Sequence, residues 1–120
     1  EYAQRPYDRD ILVRVIVPKE NARFVYQSVR NSQTDFPVLT CAAAKLADGS
    51  IRAAIGARPG KAVLYTAAPE AGETAEEFAA RFAAEVKADI KTESNLRGGA
   101  EYRRHLAGVL TKRAVCRLEG

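Results

Sequence analysis

The residues best equipped for chemistry in this sequence crowd into one stretch near its C-terminus, Ala100–Val115, AEYRRHLAGVLTKRAV. It holds Tyr102, Arg103, Arg104, His105, Lys112 and Arg113. Arginine forks bind carboxylates, phosphates and carbonyl oxygens, and a histidine can move a proton near neutral pH. A nucleophile–base pair would have to come from His105, the lone histidine, and the two cysteines, Cys41 and Cys116. Cys41 lies inside an apolar run and reads as a small core residue. Cys116 has Arg113 and Arg117 at helical distance, charges that favour a thiolate, but no base is spaced to pair with it. His105, between Arg104 and Leu106, reads as a surface or interface residue. Catalysis by this chain alone is not expected.

Bound groups are hardly better served. Two cysteines without Cys-x-x-Cys spacing, plus one histidine, are too few ligands for zinc or an iron–sulfur cluster. A disulfide is not indicated, and buried free thiols are expected. There is no G-x-G-x-x-G and no Walker loop to cradle a phosphate. Arg58-Pro59-Gly60-Lys61 offers two bases and a glycine, but reads as a surface turn. Gly98-Gly99 precedes the last helix, whose N-terminal dipole is already answered by Glu101.

The elements that must position these residues follow from periodicity. Within Ala100–Val115, Tyr102, Leu106, Val109 and Leu110 recur at three- and four-residue steps and predict one buried helix face. Upstream, Ile11–Pro18 (ILVRVIVP) reads as a strand ended by proline, with Ile11, Val13, Val15 and Val17 sharing a face. Arg23–Arg30 reads as a second strand, with Phe24, Tyr26 and Ser28 on one side and Val25, Gln27 and Val29 on the other. Asn31–Asp35 is a polar loop. Val38–Leu46 and Ile51–Ala57 flank Asp48-Gly49-Ser50, a hairpin signal because glycine accepts positive φ. Ala62–Thr66 closes the strands. Thr74 then caps a helix with Glu77 completing a capping box. Phe78, Phe82, Val86 and Ile90 form its apolar stripe. Thr92–Gly99 is a polar loop, and Glu1–Arg9 a linker-like lead-in. Strands followed by helices predict an α+β two-layer sandwich: an antiparallel sheet of three to four strands with helices on one face. The alanines at 42–44, 53–54 and 79–80 suit close helix–sheet packing.

The helix residues Ala100, Tyr102, Arg103, Arg104, Leu106, Leu110, Arg113 and Ala114 match a Ser/Ala-x-Tyr-Arg-Arg-x-Leu-x-x-x-Leu-x-x-Arg-Ala pattern. With the strand Ile11–Pro18, Arg30, the Asp35-Phe36-Pro37 turn and the alanine-rich strand after it, the chain resembles the C-terminal domain of the FAD-binding (medium) subunits of molybdenum hydroxylases. Carbon monoxide and xanthine dehydrogenases are of this kind. The resemblance implies an oxidoreductase subunit passing electrons from a molybdenum and [2Fe–2S] hydroxylase to an acceptor through FAD. It implies a domain that walls the flavin site and docks partner subunits, the molybdopterin and iron–sulfur subunits among them. The part that grips FAD's pyrophosphate would be an N-terminal FAD-binding domain absent from this chain, so FAD would not be held tightly here. By position the cofactor contacts would be Gln27, Ser28, Arg30 and Asp35, with Gln27 and Ser28 where the family often carries a lysine. Tyr102, Arg103 and Arg104 would either contact the flavin or a neighbouring subunit, or serve the fold. In the second role Tyr102 buries its ring against the sheet, and the arginines pair with loop carbonyls or a carboxylate such as Asp35.

Length and composition fit this reading. At 120 residues, 47% of them hydrophobic, the chain is sized for a single domain with its own core. Opening on Glu1 rather than methionine, it reads as part of a longer polypeptide. No apolar run approaches the roughly 18 residues of a membrane span, and no signal peptide is evident, so a cytoplasmic protein is expected. The net charge of +4 is dispersed outside Arg97–Arg117, which speaks against nucleic-acid binding. The rival from another class is a non-catalytic α+β binding or dimerisation module. An RNA-binding sheet would need exposed aromatics, for which Phe24 and Tyr26 are the nearest candidates.

Overall fold

The computed structural model describes residues 11–19 and 21–120; the lead-in Glu1–Arg9 lies outside the described residues. Four strands, β1 (Arg23–Arg30), β2 (Pro37–Lys45), β3 (Ile51–Gly56) and β4 (Val63–Ala67), are followed by helices α1 (Ala75–Asp89) and α2 (Ala100–Glu119). The strands form one sheet in the order β1-β2-β3-β4, antiparallel throughout. Both helices lie on one face of it, giving the expected two-layer α+β sandwich.

Local chemistry explains each boundary. At the β2–β3 hairpin Gly49 sits at φ 84°, and Asp48 Oδ1 accepts from the Ser50 amide at 2.9 Å. At the start of α1 the Thr74 hydroxyl accepts from the Glu77 amide, while the Glu77 carboxylate accepts from the Thr74 amide at 2.9 Å. Phe78, Phe82, Val86 and Ile90 are buried as their spacing predicts. They join Leu39, Cys41, Ala43, Ile51, Ala53 and Ile55 of the sheet, and Leu106, Leu110, Ala114 and Leu118 of α2, in one core. Gly108 lets the helices meet, since a Cβ there would stand 3.3 Å from that of Lys87.

Three expectations are overturned. The described Ile11–Lys19 forms no strand: it is exposed and without a hydrogen-bonded neighbour in the sheet, and alternation alone cannot make a strand where no ladder partner is supplied. In helix α2 Leu106 and Leu110 are buried as expected, but Tyr102 is half exposed and Arg103 is buried in its stead. The polar stretch at the start of the helix gave apolar spacing too little to settle which side of its first turn faces inward. Of the two thiols, only Cys41 is buried; Cys116 lies on the exposed side of α2.

Candidate functional site

Register divides every strand between two surfaces. Toward the helices point Val25, Cys41, Ala43, Ala53, Ile55 and Tyr65; toward the opposite side point three cross-strand rows. These rows are Phe24–Ala44–Arg52–Thr66, Tyr26–Ala42–Ala54–Leu64 and Ser28–Thr40–Gly56. No element covers them among the described residues. Phe24 is 70% exposed, Tyr26 61% and Leu64 61%. Alanine supplies the floor and larger side chains the walls, leaving a shallow trough of about 460 Å³ bordered by Phe24, Tyr26, Arg52 and Leu64. At its end Gly56 leaves room for the Thr40 hydroxyl, which a Cβ there would approach to 2.7 Å and force to shift.

The four residues singled out from the sequence are partly brought together. Ser28 lies on the open face, and Arg30 Nε donates to its hydroxyl at 3.4 Å. Arg30 also donates to the Asp35 backbone carbonyl, closing the β1–β2 corner. The Asp35 carboxylate accepts from the Phe36 amide at 2.7 Å and from Arg97 Nε at 3.0 Å. Those two bonds hold its carboxyl below the usual carboxylate range, keeping it anionic. Gln27 is turned the other way: its amide nitrogen donates to the Leu110 carbonyl of α2 at 3.4 Å. The corner therefore presents Ser28 and Arg30, with Asp35 bracing two arginines.

Arg97 was not singled out by sequence pattern, and neither was the way it is held. Its guanidinium lies 5.1 Å from the centre of the exposed Phe36 ring. The loop carrying it is fixed from beneath by Arg103, only 1% exposed. Arg103 Nε donates to the Val38 carbonyl at 2.9 Å, and its terminal nitrogens to the carbonyls of Glu93 and Gly98 and to Asn95 Oδ1. Four of the five guanidinium N–H groups are thus used, none on a carboxylate. The expected pairing of Asp35 with an arginine of the Tyr-Arg-Arg run is replaced by Arg97, because Arg103 is drawn inward to the loop carbonyls. Pairing with loop carbonyls holds for Arg103; Tyr102 does not bury its ring.

The remaining sequence candidates are spent on structure or left apart. Arg58 donates to the carbonyls of Lys61 and Lys91, stitching the β3–β4 turn to the end of α1. The Ser94 hydroxyl accepts from the Ala100 amide at 2.9 Å and so caps α2 from upstream. Burial pushes the Cys41 thiol up to about 11, leaving it protonated. Among the described residues no group of three or more His, Cys, Asp and Glu could hold a metal, and no helix is long and apolar enough to cross a membrane.

Among the described residues the sheet is clad with helices on one side and open on the other, a two-layer α+β domain. A family model for the CO dehydrogenase flavoprotein C-terminal domain matches residues 24–118, and the chain belongs to that family. No curated protein matches it. Among solved structures it is similar to quinoline 2-oxidoreductase from Pseudomonas putida 86, with 18% identity and a TM-score of 0.69 over 86% of this chain and 39% of that one. It is also similar to carbon monoxide dehydrogenase from Hydrogenophaga pseudoflava, in a form lacking the Mo-pyranopterin moiety of the molybdenum cofactor. There the identity is 24% and the TM-score 0.64, over 81% of this chain and 36% of that one. A cyanide-inactivated Cu,Mo-CO dehydrogenase gives 20% identity and a TM-score of 0.65 over 86% and 38%. At these identities the likeness is one of fold, and the chain spans well under half the length of each of these three structures.

Proposed function

We propose that this chain is the C-terminal domain of the FAD-binding subunit of a molybdenum hydroxylase, and that its open sheet face walls the flavin. The observation that carries the reading is the trough itself. Its alanine floor lies between aromatic and aliphatic walls, and leaving a broad apolar face to water is costly. A flat, largely apolar ring system fits such a surface, and Ser28 and Arg30 at its end offer a hydroxyl and a fixed positive charge. Arg30 would favour negative charge gathered at the near edge of the ring. Gln27 and Asp35 act one step back, Gln27 holding β1 to α2 and Asp35 bracing Arg30 and Arg97. When bound, FAD supplies the redox chemistry that carries electrons from molybdenum and [2Fe–2S] centres to an acceptor.

No glycine-rich phosphate cradle occurs in this sequence, so the nucleotide end of FAD is assigned to an N-terminal FAD-binding domain of the same subunit. The molybdopterin and iron–sulfur subunits are the further partners, in a cytoplasmic complex. The test is co-expression with the preceding FAD-binding portion, followed by a flavin absorbance spectrum of the purified product. The two-part protein should retain flavin that the 120-residue chain alone loses on a sizing column. Filling the trough with Ala42→Phe should lower the flavin content. Equal flavin in the variant and the parent would refute the wall.

The exposed Phe24 and Tyr26, with Arg52 beside them, favour a second reading, an RNA-binding sheet face. A salt-dependent filter-binding titration separates the two, since a flavin wall gives no retained RNA at physiological salt.

A further inference from the structure

Outside the trough, the largest anomaly in the molecule is the segment before β1. Ile11, Leu12, Val13, Val15, Ile16 and Val17 are 56–87% exposed, six aliphatic side chains within seven residues. They fall on both faces of an extended chain: Ile11, Val13, Val15 and Val17 on one, and Leu12 and Ile16 flanking Arg14 on the other. A strand wholly apolar on one side, and apolar apart from Arg14 on the other, expects cover on both sides, as in a layered sheet, with Arg14 extending its head to the edge of a layer. The family match begins only at residue 24, which leaves this segment outside it.

This chain offers two places for it, and neither suits. The trough is a sheet face, where backbone N–H and C=O groups find no partners, because ladder hydrogen bonds lie in the plane of the sheet. Among the described residues nothing pairs with the outer edge of β1, and the four residues between Pro18 and Arg23 are enough for a hairpin loop. Pairing there would still leave one apolar side on the uncovered face of the sheet. The described Ile11–Lys19 does not pair with that edge.

Resting on the function proposed above, we infer that Ile11–Val17 is an interior strand of the sheet in the FAD-binding portion of the same subunit, and moors this domain to it. The mooring acts through chain length. From Pro18 to Phe24 the backbone can reach at most about 20 Å, so the trough is held close to the module in which the strand lies. Pro18 ends the ladder and frees the chain to cross. The partner is therefore a sheet with an unfilled strand position, an apolar layer on one side, and on the other an apolar layer with a carboxylate or water within reach of Arg14. The strand brings backbone hydrogen bonds to it and alternate side chains to each layer.

Hydrogen–deuterium exchange on two samples tests this: the 120-residue chain alone, and the same residues within the continuous subunit. In the chain alone, amides 11–17 should exchange at the earliest time point, and deleting residues 1–22 should leave the thermal midpoint unchanged. In the continuous subunit the same amides should slow by roughly a hundredfold or more. The double substitution Val13→Asp with Val15→Asp should abolish that protection and lower flavin content, while amides 38–45 remain protected. Slow exchange in the chain alone, independent of concentration, would place the strand on the domain's own β1 edge and overturn the inference. Protection that rises with concentration would place it on a second copy, and fast exchange in the continuous subunit would leave it no partner; either result overturns the inference too. Flavin absorbance on the same samples keeps the two proposals apart. A flavin-loaded subunit with unprotected 11–17 sinks the mooring alone, whereas a protected strand without flavin sinks the functional reading alone.

Discussion

The two faces of the sheet are built from the same four strands by alternate residues, yet they are opposite in kind. The face under the helices is filled with Leu39, Cys41, Ile51, Ile55 and the stripe of α1, all buried. The other carries Phe24, Tyr26 and Leu64 around an alanine floor, open to water. The difference teaches that apolar character in this domain has two destinations. One part is consumed in folding, and the other stays exposed among the described residues.

Substitutions on the two faces should separate these destinations most sharply. Phe82→Ala removes a ring from the core and should cost about 3–5 kcal/mol in urea unfolding. Tyr26→Ala on the open face should stay within about 0.5 kcal/mol while reducing flavin content in the two-part protein. Equal losses of stability from both variants would break the comparison.

A second contrast sets Arg103 against Arg97. Truncating the buried Arg103 to alanine strands the carbonyls of Val38, Glu93 and Gly98, and should cost about 3 kcal/mol or more. Arg103→Lys should recover less than half of this, because an ammonium cannot reproduce the fork. Arg97→Ala breaks a solvent-exposed pair with Asp35 and should cost about 1 kcal/mol or less by the same measurement.

Acid should act at the helix-layer rim. Glu73, bonded to Arg81 at 2.8 Å, has its carboxyl held down to about 2 by that guanidinium, and Glu77 is lowered by its bonds to Thr74. A carboxyl lowered in the folded state contributes stability above its unfolded pKa and loses it as pH falls through the folded one. Stability should therefore decline from about pH 4.5 toward pH 2, with a shallower slope in Glu73→Gln. An unchanged slope in that variant would remove the pair from the account. The smallest effect concerns the thiols: in native protein a thiol reagent should titrate Cys116 and spare Cys41 until urea unfolds the chain. Rapid reaction of both would show that the covered face is not closed.

Much of the fold was legible from local pattern. The α1 stripe, its capping box, the Gly49 hairpin and the split of β1 into Phe24/Tyr26/Ser28 against Val25/Gln27/Val29 all follow from spacing and turn chemistry that act within a few residues. The candidate site was legible only in part. Ser28, Arg30 and Asp35 are neighbours in sequence as well as in space, whereas Arg97 reaches Asp35 from 62 positions away. The segment Ile11–Val17 shows the limit in the other direction, since its pattern is that of a strand and the described residues supply no ladder for it.

The sequence by itself determined the order of elements, the burial stripe of α1 and the alternation that gives each strand two sides, because each is set by the period of the backbone. Only the tertiary structure decided which side of the sheet the helices took, which residue of the Tyr-Arg-Arg run turned inward, and which arginine met Asp35. Those outcomes depend on carbonyls and surfaces contributed by distant segments. A buried guanidinium goes where unpaired acceptors converge, and no local spacing records that place.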